Sequence, residues 1–319
     1  CLKTVAVTAP LGNKSRAQFG ISGDGKTAII EMAAASGLHL VPPERRNPLL
    51  TTSFGTGELI LSALDEGVQK IILGIGGSAT NDGGAGMLQA LGARFADGSG
   101  NPLGFGGGAL AHIEQADFSG LDSRLRDVDF EVACDVDNPL CGEKGASAVF
   151  GPQKGATAAM VAELDAALAR FAAKVRAATG KNIKDHAGAG AAGGMGGGLL
   201  ALPNVHLRAG VQIVLETVGL ARYVKDADLV ITGEGRMDSQ SAHGKTPIGV
   251  AQVAKQYGKP VIAIVGCLRE DYEVVYAHGI DAVFPIIRQL GSLETVLANA
   301  RDNLISTAQN VARLYRLGR

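Results

Sequence analysis

The chain has 319 residues, with 30 Lys and Arg against 31 Asp and Glu, and a formal net charge of −1. That balance leaves no basic footprint for nucleic acid, and with no Trp and only 4% aromatic residues there are few platforms for stacked bases. No apolar run reaches membrane-spanning length, and the 45 glycines follow no triplet period, which excludes bilayer-spanning helices and collagen. The four cysteines, Cys1, Cys134, Cys141 and Cys267, show no C-x-x-C spacing. They read as reduced thiols of a cytoplasmic protein.

The chain opens at Cys1, without Met, directly on a strand-like run, and is expected to lack an initial part of its fold. Residues 1–41 read as strands, two of them joined at Asp24-Gly25, a strong hairpin signal. Gly20, Gly25, Lys26 and Thr27 match the Walker A spacing. That motif needs a helix after it, whereas Ala28-Ile29-Ile30 reads as the second strand of the hairpin, so Lys26 is expected to be a solvated turn residue. Pro42, Pro43 and Pro48 mark a loop, 51–57 is a polar Gly loop, and a helix then ends at Gly67. The stretch KIILGI fits a buried strand of a parallel sheet, with a helix over 84–91. Residues 97–108 form a Gly-rich loop, and 129–134 a strand ending on Asp135, Asp137 and Asn138. In the helix expected over 157–179, Leu164, Leu168, Phe171 and Val175 share the spacing of a core face. The small-residue run 187–198 reads as a loop feeding a closely packed helix, and 208–220 as helical. Strands over 227–232, 261–266 and 282–285 then alternate with helices over 246–257 and 293–317. This alternation implies an α/β fold around a mostly parallel sheet.

Three stretches carry candidate chemistry. The first runs from Ile71 to Gly86, a strand followed by Gly76, Gly77, Ser78, Thr80, Asn81, Asp82, Gly83 and Gly84. A Gly-rich turn between a strand's carboxyl end and a helix start exposes backbone N–H groups to an anion. The bland alternative is a tight turn capped by Asp or Asn. The second, TGEGRMDSQSAHGKT, carries Glu234, Arg236, Asp238, Ser241, His243 and Lys245 after a buried strand. Phosphoryl transfer needs such parts: cations for the phosphates, a carboxylate for Mg²⁺ and an acceptor for the hydroxyl proton. Its alternative is a surface loop with a salt-bridged Arg. In the third, Asp135 and Asp137 lie two apart at a strand end, where alternate side chains share a face; an Asx turn ahead of Pro139 explains them equally well. Gly74, Gly76 and Ala79 fit a dinucleotide fingerprint weakly, because Asp97, the acid at the right distance, lies in a loop. No H-E-x-x-H, G-x-S-x-G or zinc spacing is present, and His206 reads as a packed histidine.

The segments GIGGSATNDGGAGMLQALGARF, ACDVDNPLCGEKGASAVFGPQKGA and ADLVITGEGRMDSQSAHGKTPIGVA, with IEMAAASGL and TTSFGTGELI, closely resemble the bacterial glycerate kinases of glucarate, galactarate and glyoxylate utilisation. The resemblance runs from Thr4 to the final helix. It implies transfer of the γ-phosphate of ATP to D-glycerate with Mg²⁺, giving 2-phosphoglycerate rather than 3-phosphoglycerate. It also implies two α/β domains with the active site in the cleft between them, one a Rossmann-like parallel sheet flanked by helices and the other a smaller mixed α/β domain. The expected division assigns 1–43 and 100–220 to the mixed domain and 44–99 with 221–319 to the Rossmann-like one. Family members begin with a strand, a Ser/Lys loop and an acidic Gly-rich motif ahead of the position of Thr4, so the Rossmann-like sheet is expected to be short of its N-terminal strand.

Roles follow from the physical reading of the residues. Gly76, Gly77, Ser78, Thr80, Asn81, Gly83 and Gly84 would cradle a phosphate or the glycerate carboxylate, and Arg236 would fork onto its oxygens. Asp82 is the first candidate for base or metal carboxylate, Asp238 the alternative base, and Lys245 a cation for the transferred group. Asp135, Asp137 and Glu234 are the candidate Mg²⁺ carboxylates. D-glycerate is the expected partner, with no nucleic acid or membrane; apolar residues on the last helix suit either a core or a homodimer. The rival functions are a non-catalytic sugar-acid-binding protein and an NAD-linked hydroxy-acid dehydrogenase.

Overall fold

The computed structural model describes residues 1–242 and 245–318. Its contacts divide the chain into two units, Cys1–Gly210 and Val211–Arg319. The first holds strands β1 (Leu2–Thr8), β2 (Lys14–Ile21), β3 (Thr27–Glu31), β4 (Lys70–Gly74), β5 (Arg94–Ala96), β6 (Gln115–Asp117), β7 (Asp129–Ala133) and β8 (Val205–Arg208). Its helices are α1 (Ala33–Ser36), α2 (Phe54–Asp65), α3 (Ala85–Ala90), α4 (Ala146–Phe150), α5 (Ala158–Thr179) and α6 (Ala191–Leu200).

Six of these strands form one mixed sheet in the order β1-β2-β3-β4-β7-β8. The first two pairings are antiparallel and the remaining three parallel. The hairpin between β2 and β3 turns at Asp24-Gly25 as expected: the Ser22 hydroxyl and the Lys26 N–H both donate to Asp24 Oδ1, at 2.6 and 3.1 Å. Lys26 is exposed and β3 follows it, so the Walker-like spacing has no helix behind it. Ala28, Ile30, Ile71, Leu73, Phe130 and Val132 alternate along β3, β4 and β7 and are completely buried, the period-two pattern of a sheet packed firmly on one face. Leu164, Leu168, Phe171 and Val175 are likewise buried on α5.

The division departs from the expected interleaving. Because β4 lies between β3 and β7 in a single ladder, residues 44–99 stay with 1–43 and 100–210, and the mixed sheet belongs to the longer unit. The expected loop 97–108 is flanked by the short β5–β6 ladder, and β8 was not anticipated. On it His206 is exposed rather than packed.

The small-residue run leads into α6, whose start is kinked: Ala192, Gly193 and Gly194 are left-handed. A Cβ on Gly193 would lie 1.9 Å from the Thr80 carbonyl oxygen, and the Gly193 carbonyl accepts the Gly83 N–H at 3.0 Å. Side chains are excluded there by both backbone angle and space. Gly193→Ala is expected to cost about 3 kcal/mol of stability, read as a lower denaturant midpoint at unchanged slope. A shift below about 1 kcal/mol would mean that the kink relaxes freely.

The second unit carries α7 (Gly210–Thr217, beginning on the boundary residue), α8 (Leu220–Lys225), α9 (Thr246–Gln256), α10 (Leu293–Ala298) and α11 (Ala300–Leu317). Its strands are β9 (Val230–Thr232), β10 (Arg236–Met237), β11 (Val261–Val265), β12 (Cys267–Leu268) and β13 (Ala282–Pro285). A parallel sheet in the order β13-β11-β9 packs around its own core, which includes Val230, Ile248, Ala251, Val261, Ala263 and Val275. The helix expected over 208–220 spans Gly210–Thr217, with Arg208 in β8 and Leu220 opening α8, and the one expected over 293–317 breaks in two at Asn299. Leu304, Leu314 and Leu317 on α11 are exposed, while Val311 is buried. Among the described residues no helix is long and apolar enough to cross a membrane. The four cysteines are free thiols.

Candidate active site

The loop after β4 is held in place from several sides. The Leu38 N–H donates to the Gly77 carbonyl at 2.8 Å, the Ala79 N–H to the Ser36 carbonyl at 2.9 Å, and the Thr51 hydroxyl to the Ala79 carbonyl at 2.8 Å. Gly76 and Gly77 remain exposed, with Gly77 at φ +72°, while Ser78, Thr80, Asn81, Gly83 and Gly84 turn inward and are buried. Asn81 Nδ2 donates to Ser147 Oγ at 2.9 Å, whereas Thr80 Oγ1 and Asn81 Oδ1 are buried without a partner. The loop thus contributes to the site by Gly76, Gly77 and Ser78, and its second half serves as a foundation.

Asp82 is part of that foundation. It is 1% exposed, and its carboxylate accepts four hydrogen bonds. The Ser53 N–H (2.9 Å), Ser53 hydroxyl (2.8 Å) and Gly86 N–H (3.3 Å) reach Oδ2, and the Gly84 N–H (3.1 Å) reaches Oδ1. Ser53 Oγ in turn accepts the Met87 N–H at 3.0 Å. The carboxylate therefore ties the starts of α2 and α3 together, satisfying N–H groups that a helix start leaves open. Burial pushes its pKa up, against the four donors that pull it down. The structure places Asp82, the first candidate for base or metal carboxylate, as a buried joint between these two helix starts.

The residue that sequence reasoning missed is Lys154, at the end of the 3₁₀ turn Pro152–Lys154. It is 1% exposed, and its Nζ donates at 2.7 Å to both Ser78 Oγ and the Thr80 carbonyl. Among the described residues no carboxylate lies within ion-pair distance of this amine, an uncommon state because buried lysines are nearly always paired. Burial lowers its pKa to about 7, with the field of Asp82 acting in the opposite direction. The only hint in the sequence is a Lys between Pro152 and Gly155 on a tight turn, which ordinarily reads as solvated.

Lysine 154 and the loop share a cavity of about 250 Å³, walled also by Ala133, Cys134 and Asp135 after β7 and by Ala191 and Ala192 at the start of α6. It opens at the carboxyl ends of the parallel strands, where α/β sheets place their ligands. Asp135 is exposed on its wall, and its Oδ1 accepts the Gly210 N–H at 2.8 Å; Asp137 is exposed beyond it. Burial pushes the Cys134 thiol up, so no reactive thiolate stands on that wall.

The lowered lysine pKa has a consequence for folding. Between about 7 and the ordinary 10.5, the unfolded chain holds a proton that the folded chain has released, so this group makes stability rise with pH across that window. The denaturation midpoint of the natural chain is expected to climb from pH 7 to 10 relative to Lys154→Met. Parallel curves would mean that the amine keeps its charge in the fold.

The second unit gathers the other candidates around Asp238, which is 4% exposed. Arg236 Nε lies 3.3 Å from Oδ2 and Lys245 Nζ 3.6 Å from Oδ1, and the Gln240 N–H donates to Oδ1 at 3.1 Å. The Asp238 N–H donates to the buried Ser241 hydroxyl oxygen at 3.2 Å. The structure places Asp238, the alternative base, between these two cations. Both keep a solvent-facing side, with 57% and 40% of their side chains exposed. Glu234 is half-buried with Oε1 unpartnered, on the wall of a largely apolar cavity of about 780 Å³. His243 and Gly244 lie outside the described residues. Asp135 and Asp137 belong to the first unit and Glu234 to the second, and no group of three His, Cys, Asp or Glu among the described residues is placed to hold a metal ion.

Comparison with known proteins gives this arrangement a context. The model of the glycerate kinase family matches residues 2–316. A Haemophilus influenzae glycerate kinase is 70% identical over 308 residues, covering 97% of this chain and 82% of the relative. The Escherichia coli glycerate 2-kinase is 57% identical over 312 residues, covering 98% and 82%. A crystal structure from Salmonella typhimurium LT2, provisionally designated glycerate kinase 2, superposes with a TM-score of 0.90 at 55% identity, covering all of this chain and 83% of the other. The chain belongs to the glycerate kinase family and is a kinase.

Proposed function

We propose that this kinase transfers the γ-phosphoryl group of ATP to the 2-hydroxyl of D-glycerate in the cytoplasm, with Mg²⁺ as counter-ion. The observation that carries the reading is the cavity after β4, where exposed Gly-Gly backbone faces a hydroxyl and a buried amine. Its volume of about 250 Å³ is several times the roughly 30 Å³ share of a water molecule and suits a three-carbon acid. Transfer to the 2-hydroxyl is supported by the name of the Escherichia coli relative, glycerate 2-kinase.

In this reading the backbone of Gly76 and Gly77 receives the glycerate carboxylate, because glycine lets the ligand approach the N–H groups closely. Arg236 and Lys245 are the cations offered to the nucleotide phosphates. Asp135 is the residue that would hold Mg²⁺, an ion for which one or two protein carboxylates suffice. Asp137 is the candidate for the second. Bound there, the ion supplies positive charge against the phosphates.

The test is a coupled assay with D-glycerate, ATP and Mg²⁺. Enolase with pyruvate kinase and lactate dehydrogenase reads 2-phosphoglycerate directly, and phosphoglycerate mutase must be added to read 3-phosphoglycerate. Signal without mutase is expected. Signal that requires mutase would move the reaction to the 3-hydroxyl, and glycerate binding without turnover would favour a binding protein.

A further inference from the structure

A kinase acting on an alcohol needs a destination for the hydroxyl proton, and the carboxylates of Asp82 and Asp238 are both engaged, the first by Ser53 and the second by Arg236 and Lys245. We propose that Ser78 and Lys154 form a proton relay, in which Ser78 Oγ takes the proton of the substrate hydroxyl while its own proton passes to Lys154 Nζ. The proposal rests on the kinase reading above and assigns the base for that same site.

The partners of the amine carry the argument. A neutral lysine has two N–H donors and one lone pair. Of its two neighbours, each at 2.7 Å, the Thr80 carbonyl can only accept, and so fixes one N–H. Ser78 Oγ is the neighbour that can also donate, and its O–H is free to turn toward the lone pair. Both Ser78 and Lys154 line the cavity, so the hydroxyl stands between amine and ligand. Both neighbours of the amine are neutral, so neither supplies the negative partner that a permanent buried ammonium would require.

The charged and titratable groups around the amine come from three directions. Asp82 lies beneath the loop, and its field favours the ammonium that forms during the reaction. Asp135 and the Cys134 thiol stand on the β7 wall of the cavity. Arg46 reaches Gly155, next to Lys154, through its backbone. Burial opposes Asp82 and brings the amine to about 7, where it is poised to accept a proton near neutrality.

The step balances. The substrate O–P bond forms as the bond between the γ-phosphorus and its bridging oxygen breaks, and the bridging electron pair leaves with ADP. One proton moves from substrate to Ser78 Oγ and one from Ser78 Oγ to Nζ, which becomes an ammonium and returns its proton to water as product leaves.

Two measurements decide the proposal. The first follows the Lys154 13Cε resonance against pH in the whole chain, assigned by its loss in Lys154→Arg. A midpoint near 7 is expected, and a midpoint above about 9 would overturn the relay whether or not the chain turns over. The second is the pH profile of kcat with saturating D-glycerate, ATP and Mg²⁺. The relay makes kcat rise with pH through about 7, because the amine must be free of its proton before it can receive one. A simple cation would make the rate fall over the same range. Ser78→Ala is expected to lower kcat by about 10²-fold while KM for D-glycerate stays within about fivefold, and Lys154→Arg to abolish the limb. Near-natural kcat in Lys154→Arg would replace the relay with a charge clamp, whereas no D-glycerate turnover by the natural chain, with the titration near 7 intact, would fault the kinase reading instead.

Discussion

Lys154→Met is expected to leave a folded protein that has lost about 10³-fold in kcat. The two halves of this expectation have different causes. Methionine matches the lysine stem in length and fills the same space, while removing an amine whose burial is costly. Against that gain stand two lost hydrogen bonds, to Ser78 and to the Thr80 carbonyl, worth about 1 kcal/mol each. The terms oppose, so the denaturation midpoint should move by no more than about 2 kcal/mol, with the variant comparatively more stable at pH 6 than at pH 9. The chemistry has no such compensation, because among the described residues no other buried base stands on the cavity wall. Parallel measurement of circular dichroism, denaturant midpoint and coupled turnover separates the effects. Equal collapse of fold and activity would make Lys154 a structural residue.

Asp82→Ala is expected to do the reverse: a loss of about 4 kcal/mol or more, with the first unit unfolding at markedly lower denaturant. Four donors lose their acceptor in one buried spot, two of them from Ser53 and two from the start of α3. Asp82→Asn is the milder form, since its amide keeps one acceptor oxygen while turning N–H groups toward donors. In the folded fraction of Asp82→Asn, kcat should stay within about tenfold, with its acidic limb moved to lower pH because the field favouring a protonated Lys154 is gone. A folded Asp82→Asn protein with no turnover would return Asp82 to the chemistry.

The contrast between these two residues shows where the sequence was readable. The strand KIILGI, the Gly turn after it and the core face of α5 follow from local periodicity and from the backbone freedom of glycine, which are written within a few neighbouring residues. The likeness of three long motifs also carried the family. What escaped is non-local. Asp82, in a Gly-rich loop, has the composition of a ligand-binding carboxylate, yet its partner Ser53 lies 29 residues upstream. Lys154 looks solvated on a turn, and only the fold buries it against Ser78. The joining of β3, β4 and β7 in one ladder escaped for the same reason, because parallel pairing brings together segments with long connections between them. In the second unit the cluster of Arg236, Asp238 and Lys245 was legible because all three lie in one short stretch of sequence.

The kinked start of α6 bears on how the molecule is made. The loop after β4 leaves the ribosome well before the pieces that enclose it: Lys154 follows Ser78 by 76 residues, and the left-handed turn at Gly193, which backs the Thr80 carbonyl, comes later still. Until both arrive, a glycine-rich backbone with unmet donors and acceptors is open to any strand edge or chaperone nearby. The cavity is therefore a late product of chain elongation, assembled from contacts of large sequence separation that carry a high loop-closure cost. Acquisition of activity is thus expected to lag behind formation of the sheet when the chain refolds.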